Sequence, residues 1–297
     1  MSAPLAGIWA AALTPIDDDL APDADRAVAY YEDLLRDGCD GVALLGTTGE
    51  AMSLSAGQRL AFMEGVARRG LPMERAIVGT GAANLDDAVR LTRAAFDLGF
   101  AAALVMPPFF FRDAGDDGIV RYFDRLFAQA PPPEGRVVLY HFPRMSGISF
   151  HAALVDRLVD EFPEAIVGLK DSSNDRALQS AVIARHPDLA VFPGSESYLL
   201  EAKRAGAAGC ISGSVCLWPQ LAREVWYGEL PDAAQRCMAE ERAKLDGLPL
   251  IAAVRCLTAR VRDDEAWAVP IPPLLPLDAA TAAALRASGD GIDDGTA

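Results

Sequence analysis

Only three lysines stand among the 27 basic residues of this 297-residue chain, and one of them, Lys170, ends the apolar run Ala165-Ile166-Val167-Gly168-Leu169. Arginine serves nearly everywhere else that a solvated positive charge would do, so a lysine at the end of a buried run points to a need that guanidinium does not meet. An amine can lose its proton and attack a carbonyl, whereas a guanidinium stays protonated. Taken alone, Lys170 fits equally well a side chain that snorkels from a strand end into water. Two more polar clusters follow apolar runs in the same way: Gly46-Thr47-Thr48-Gly49-Glu50 and Tyr140-His141-Phe142-Pro143. Each has a structural reading beside the chemical one. The Gly-Thr-Thr-Gly hydroxyls can cap the helix that begins near Ser55, Tyr140 can be a core aromatic with its hydroxyl at a rim, and Glu50 reads as a structural or capping carboxylate.

These clusters need elements that bring them together. Eight short apolar runs read as strands: Gly7 to Leu13, Gly41 to Leu45, Ala76 to Gly79, Ala101 to Val105, Val137 to Tyr140, Ile166 to Lys170, Ala190 to Phe192 and Gly209 to Ser212. They recur at intervals of roughly 20 to 35 residues, the size of one strand-plus-helix unit. Helix-like segments such as Asp23 to Arg36, Ser55 to Arg69, Leu85 to Leu98, Gly118 to Ala128 and Ser197 to Ala205 lie between them, and Ser55 with Gln58 forms a capping-box pattern. Nearly continuous apolar strands are buried on both faces, as in a parallel sheet covered by helices. Eight repeats, with Leu13-Thr14-Pro15-Ile16 after the first strand where a dinucleotide fold has a Gly-rich turn, favour an α/β architecture of the (β/α)8 TIM-barrel type. Residues 1–225 are expected to form this barrel. Residues 226–297 read as a C-terminal helical region, broken by Pro270, Pro272, Pro273 and Pro276 and ending in an acidic, mobile tail from Ala287.

Composition removes several classes of function. A net charge of −15 argues against a nucleic-acid or anionic-membrane partner, and 51% hydrophobic residues suffice for a large core. Cys39, Cys210, Cys216, Cys237 and Cys256 are scattered, and with only His141, His151 and His186 beside them they make no zinc-like cluster, so neither a metal nor a cofactor is expected. Reduced thiols, the lack of a signal-type segment and the lack of a membrane-length apolar run lead to the expectation of a cytoplasmic protein.

In a barrel, the three polar clusters all fall at the C-terminal ends of strands, where catalysis is expected. Lysine on strand six, tyrosine on strand five and Gly-Thr-Thr-Gly-Glu after strand two together resemble the pyruvate-dependent class I aldolase family. That family includes dihydrodipicolinate synthase, N-acetylneuraminate lyase, 2-keto-3-deoxygluconate-type aldolases and 4-hydroxy-2-oxoglutarate aldolase. The likeness runs from the first strand to about Trp218 and includes Gly194-Ser195-Glu196 and Gly206-Ala207-Ala208-Gly209-Cys210-Ile211-Ser212-Gly213. It implies that Lys170 is the Schiff-base nucleophile, and desolvation by apolar strand ends favours the neutral, nucleophilic form of an amine. It further implies Tyr140 as proton shuttle and Thr47 as the hydroxyl relaying protons with it. Thr48 and the backbone N–H groups of Gly46 to Gly49 would hold the pyruvate carboxylate, Ile211 would line the pyruvyl pocket, and Gly194, Ser195 and Glu196 would contact the distal part of the substrate. Pyruvate and an aldehyde or 2-oxo acid are the implied small-molecule partners, and a homotetramer or dimer the implied assembly.

Two stretches depart from the family pattern. Phe110, in Met106-Pro107-Pro108-Phe109-Phe110-Phe111-Arg112, occupies the place of a tyrosine that completes the proton relay. Dihydrodipicolinate synthases follow Tyr-Asn-x-Pro with x-Arg-Thr-Gly, whose arginine secures a carboxylate of the second substrate; here Met145 stands in that place and Arg144 falls one residue early. The expected activity is therefore a lyase that joins or separates pyruvate and an aldehyde, acting on a 2-keto-3-deoxy sugar acid or 4-hydroxy-2-oxoglutarate. Dihydrodipicolinate synthase, a dehydratase using the same imine and a non-catalytic pyruvate-binding barrel remain the alternatives. Phe109, Phe110, Phe111 and Phe142 either make the acceptor side apolar or pack beneath the mouth and between subunits.

Overall fold

The computed structural model describes residues 5–133 and 135–288. Eight strands alternate with helices: β1 (Gly7–Ala11), β2 (Gly41–Leu44), β3 (Ala76–Gly79), β4 (Ala102–Val105), β5 (Val137–His141), β6 (Ile166–Asp171), β7 (Ala190–Pro193) and β8 (Gly209–Ser212). They form one parallel sheet in the order β7-β6-β5-β4-β3-β2-β1-β8. Its two ends meet where the Ala208 N–H, just before β8, donates to the Val191 carbonyl of β7 at 2.9 Å. The result is the (β/α)8 barrel that the eight apolar runs predict. Strand residues alternate sides: Trp9, Ile77, Leu104, Val138, Phe192 and Ile211 fill the interior, while their neighbours join a larger apolar layer beneath the surrounding helices.

The helices begin where their sequences supply a cap. The Asp23 carboxylate accepts from the Asp25 and Arg26 N–H groups ahead of helix Ala24–Arg36, and Ser55 with Gln58 makes the reciprocal capping box ahead of helix Ala56–Arg68. The helix after β8, Pro219–Tyr227, completes the eight units. Helices Pro231–Ala243, Leu250–Val261 and Ala279–Ser288 follow, and Pro270, Pro272, Pro273 and Pro276 lie in the non-helical connection before the last of them. Ala287 and Ser288 belong to that last helix, and the rest of the expected tail, residues 289–297, falls outside the described residues. No helix among the described residues is long and apolar enough to cross a membrane.

Several boundaries differ from the sequence reading for identifiable reasons. β1 stops at Ala11 because the chain turns toward Thr14-Pro15, and the Leu13 carbonyl accepts from the Tyr31 hydroxyl at 3.0 Å. Ser197 to Ala205 divides into a 3-10 turn, Glu196–Tyr198, and a short helix, Leu199–Arg204. β5 and β6 each extend one residue further than periodicity suggested, taking in His141 and Asp171. Polar residues at an apolar run's end look like loop, yet these two are paired with each other.

Candidate active site

The register of β5 against β6 places Tyr140 opposite Lys170. Both side chains face the barrel interior, Lys170 only 4% exposed, with its Nζ 4.4 Å from the centroid of the Tyr140 ring. Among the described residues no carboxylate is ion-paired with that amine, and a ring face is the partner shown for it. The Tyr140 hydroxyl and Thr47 Oγ1 are hydrogen-bonded at 3.0 Å, and either oxygen can donate. Amine, phenol and threonine hydroxyl, drawn from three strand ends, thus converge on one another.

Thr47 owes its position to a strained and firmly held loop. Leu45 and Glu50, on either side of Gly46-Thr47-Thr48-Gly49, both adopt left-handed backbone conformations, φ +50° and +53°. Non-glycine residues hold this region only where tertiary contacts impose it. Gly79 makes room for the bend, since a Cβ there would stand 2.0 Å from the Leu45 carbonyl oxygen. The Glu50 carboxylate is buried against Arg255 of helix Leu250–Val261, accepting from Arg255 Nε at 2.5 Å and from the Ile271 N–H at 2.6 Å. Burial pushes the Glu50 carboxyl above the usual carboxylate range, and the Arg255 charge and the Ile271 N–H offset part of that rise. Thr14 Oγ1 donates to the Gly49 carbonyl at 2.8 Å, closing the far side of the loop. Within the loop the Gly46 and Thr47 carbonyls accept from Ala51 and Glu50, whereas the N–H groups of Thr47, Thr48 and Gly49 have no acceptor among the described residues. A small open cleft lies beside Thr47 and Tyr140, walled by Gly46, Gly79, Leu104 and Met106. Lys170 is not part of that wall; its amine lies against the Tyr140 ring.

The other anticipated residues fall at different distances from this centre. Ile211, on β8, belongs to the same interior cluster as Tyr140 and Phe192. Thr48 is buried beside Gly213, where a Cβ would stand 2.6 Å from its Oγ1. Gly194 and Ser195 are half-buried after β7. Glu196 is fully buried: its Oε1 accepts from the Ser214 hydroxyl at 2.5 Å and lies 3.8 Å from Arg242 of helix Pro231–Ala243. Phe109 and Phe142 pack against the interior cluster, and Phe110 and Phe111 stand 75% and 69% exposed, edge to face with each other. Phe110 therefore takes no part in the Thr47–Tyr140 contact. Arg144 and Met145 are exposed on a helical turn, Pro143–Ser146, so they diverge by about 100° and not by the opposite facing expected of an extended loop.

Two structural supports escaped sequence reasoning. Arg255 is fully buried, and a single arginine in Leu250-Ile251-Ala252-Ala253-Val254-Arg255-Cys256-Leu257 was the available signal. His141 and Asp171 are bonded at 2.8 Å on the outer side of β5 and β6. Their signal was that each directly follows an inward polar residue on neighbouring strands.

Known proteins resemble this chain over two thirds of its length or more. A protein of Chloroflexus aurantiacus described as an uncharacterized DapA-like lyase is 37% identical, with 98% of each chain covered. YagE of Escherichia coli, provisionally named a 2-dehydro-3-deoxy-D-gluconate aldolase, is 30% identical over 67% of this chain and 66% of its own. The crystal structure of dihydrodipicolinate synthase from Agrobacterium tumefaciens superposes with a TM-score of 0.90 at 26% identity, covering 97% of this chain and 99% of that one. The dihydrodipicolinate synthetase family profile matches residues 4–251. With its barrel-mouth lysine beside a phenol and a threonine, this chain is an enzyme of the pyruvate-dependent aldolase and lyase type and belongs to the dihydrodipicolinate synthetase family.

Proposed function

We propose that this enzyme is a Schiff-base aldolase that releases pyruvate from a 2-oxo acid carrying a hydroxyl at C4, of the 2-keto-3-deoxy sugar acid or 4-hydroxy-2-oxoglutarate type. The observation that carries the reading is the convergence of Lys170 Nζ, the Tyr140 ring and Thr47 Oγ1 in the barrel mouth. Lys170 Nζ attacks C2, and the carbonyl oxygen leaves as water with a proton passed through Tyr140. The resulting iminium draws electrons from C3. Tyr140, relayed by Thr47, takes the proton of the C4 hydroxyl, the C3–C4 bond breaks, its electron pair enters the enamine and C4 departs as an aldehyde. A proton delivered to C3 restores the iminium, and water then frees pyruvate and the amine.

The three acceptor-free N–H groups at Thr47, Thr48 and Gly49 supply the donors that a pyruvate carboxylate needs, since consecutive loop amides form an anion-binding concavity. Ile211 forms an apolar wall for the pyruvyl methylene, and Gly194 and Ser195 border the side where the rest of the substrate lies. Met145, in place of the synthase arginine, supplies no charge for a carboxylate on the second substrate, which favours the sugar-acid side, whose aldehyde product carries none, over 4-hydroxy-2-oxoglutarate, whose aldehyde product does. YagE, as a relative with an aldolase name, adds support to the sugar-acid side of this reading.

Incubation with a panel of 4-hydroxy-2-oxo acids, followed by NMR, tests the reading. Free pyruvate with the matching aldehyde is expected. Retention of the full carbon chain would show a dehydratase instead, and no reaction together with no borohydride-trapped adduct on Lys170 would sink the proposal. Tyr140→Phe is expected to lower kcat by about 10²- to 10⁴-fold, the usual range for loss of a positioned proton carrier, while the trapped Lys170 adduct still forms. Exposed Phe110 and Phe111 suit a face covered by a second subunit, so sedimentation is expected to report a dimer or tetramer at micromolar concentration. A monomer would remove that part.

A further inference from the structure

The pair beside the reacting residues, His141 and Asp171, has no role in the chemistry above. Both side chains are buried, 3% and 0% exposed, on the helix-facing side of β5 and β6. Their Cα positions are register partners, one step beyond the Tyr140–Lys170 pair. Asp171 Oδ1 accepts from His141 Nδ1 at 2.8 Å and from the Ser173 N–H at 3.0 Å, and Oδ2 accepts from Gln179 Nε2 at 2.7 Å. Burial alone would push the Asp171 carboxyl up, but the bonds from His141, Gln179 and Ser173 outweigh it and hold it below the usual carboxylate value. An ionised carboxylate only accepts, so Nδ1 carries the ring proton. The imidazole stacks on Phe150, centroids 5.6 Å apart and planes within 4°, and its Nε2 is buried with no partner among the described residues. An apolar side chain would fill this layer without that orphaned nitrogen, so stability of the layer does not account for a histidine here.

The register of β6 against β5 explains what the pair is for. Val137 pairs with Ile166 but Val138 with Gly168, so the ladder shifts by one residue at the base of β6. A further slip of one residue at the top would turn Lys170 outward and Asp171 inward, because side chains alternate with a period of two. The His141–Asp171 bond forms only in the register that points Lys170 at Tyr140.

We infer that His141 and Asp171 are positioning residues, a buried hydrogen-bonded brace that fixes the ends of β5 and β6 so that Lys170 and Tyr140 meet inside the barrel. This deepens the Schiff-base reading and rests on it for its kinetic consequence, though not for its structural one.

The test compares His141→Phe, which keeps a ring on Phe150 but lacks the donor, with His141→Asn, whose amide nitrogen stands near the Nδ1 position. Exchange of the pyruvate methyl protons in D2O, followed by NMR, reads imine and enamine formation with pyruvate alone. His141→Phe is expected to slow the maximal exchange rate by about 10- to 100-fold, the scale of a displacement of about 1 Å at a reacting pair, while half-saturation by pyruvate moves by less than about threefold. His141→Asn is expected to stay within about threefold of the natural enzyme in both. Amide hydrogen exchange without substrate reads the brace directly: peptides spanning 137–141 and 166–171 lose protection in His141→Phe and keep it in His141→Asn. If His141→Phe does not fold, Asp171→Ala, which removes the acceptor, takes its place with the same expected losses. Unchanged methyl exchange in His141→Phe, or equal losses in both histidine variants, overturns the proposal. So does unchanged amide protection, even if no 2-oxo acid reacts. Absence of methyl exchange in the natural enzyme, with amide protection changing as expected, instead overturns the Schiff-base reading and leaves the brace standing.

Discussion

Lys170→Arg is expected to abolish the pyruvate adduct and to lower turnover by at least about 10³-fold, the scale seen when a nucleophile that acts as part of a unit is removed. Arginine keeps a positive charge and a long stem, so the substitution tests nucleophilicity and not charge. Intact mass after treatment with pyruvate and borohydride is the measurement. The natural enzyme should gain the mass of pyruvate less one oxygen atom, since the carbonyl oxygen leaves as water and hydride reduces the imine. Lys170→Arg should gain nothing. An adduct of the same mass in the variant would assign the nucleophile elsewhere; Lys203 and Lys244 are the other lysines. Lys203 donates to the Trp226 carbonyl, and Lys244 pairs with Glu241 at 2.6 Å, so both lie in helical contacts away from the barrel interior.

The largest effect on stability is expected at Arg255. Its guanidinium and the Glu50 carboxylate are both fully buried as side chains. Truncating one partner of a buried pair leaves the other charge uncompensated, and Arg255→Met should cost about 3 to 5 kcal/mol in urea unfolding. The damage should also reach the site, because Glu50 holds one strained end of the loop that carries Thr47. The loss depends on pH with a definite sign. A carboxyl raised by burial holds its proton longer in the folded state than in the unfolded chain. Its contribution is therefore full below the unfolded value and falls as pH rises through the folded one. Arg255→Met withdraws an influence that lowers this carboxyl, so its deficit should be smallest in acid and greatest at neutral pH. Adding Glu50→Gln to Arg255→Met removes the stranded charge and should recover part of the loss at neutral pH. A deficit independent of pH, unrelieved in the double variant, would mean that packing rather than charge is lost.

Both expectations start from side chains that the sequence exposed to different degrees. Lys170 was conspicuous because lysine is scarce and stands after an apolar run. Tyr140 and Thr47 gained weight only jointly, as strand-end residues in a barrel whose eight strands were visible from apolar runs buried on both faces. Glu50 read as a structural carboxylate, and the buried ion pair bears that out. Its partner was hidden because Arg255 lies 205 residues away, and no local periodicity encodes a contact over that separation. Glu196 shows the same limit: the motif marked it as a substrate contact, and its bond from the Ser214 hydroxyl, 18 residues on, is one that no local pattern encodes.

Local pattern, then, was enough for the parallel barrel, the helix caps and the three strand ends that carry chemistry, because burial and capping act over a few residues. The tertiary structure alone decided the strand register, which side of β6 faces inward and which distant residues brace it. Those depend on cross-strand pairing and on burial of charges from opposite ends of the chain, and a linear sequence does not display either.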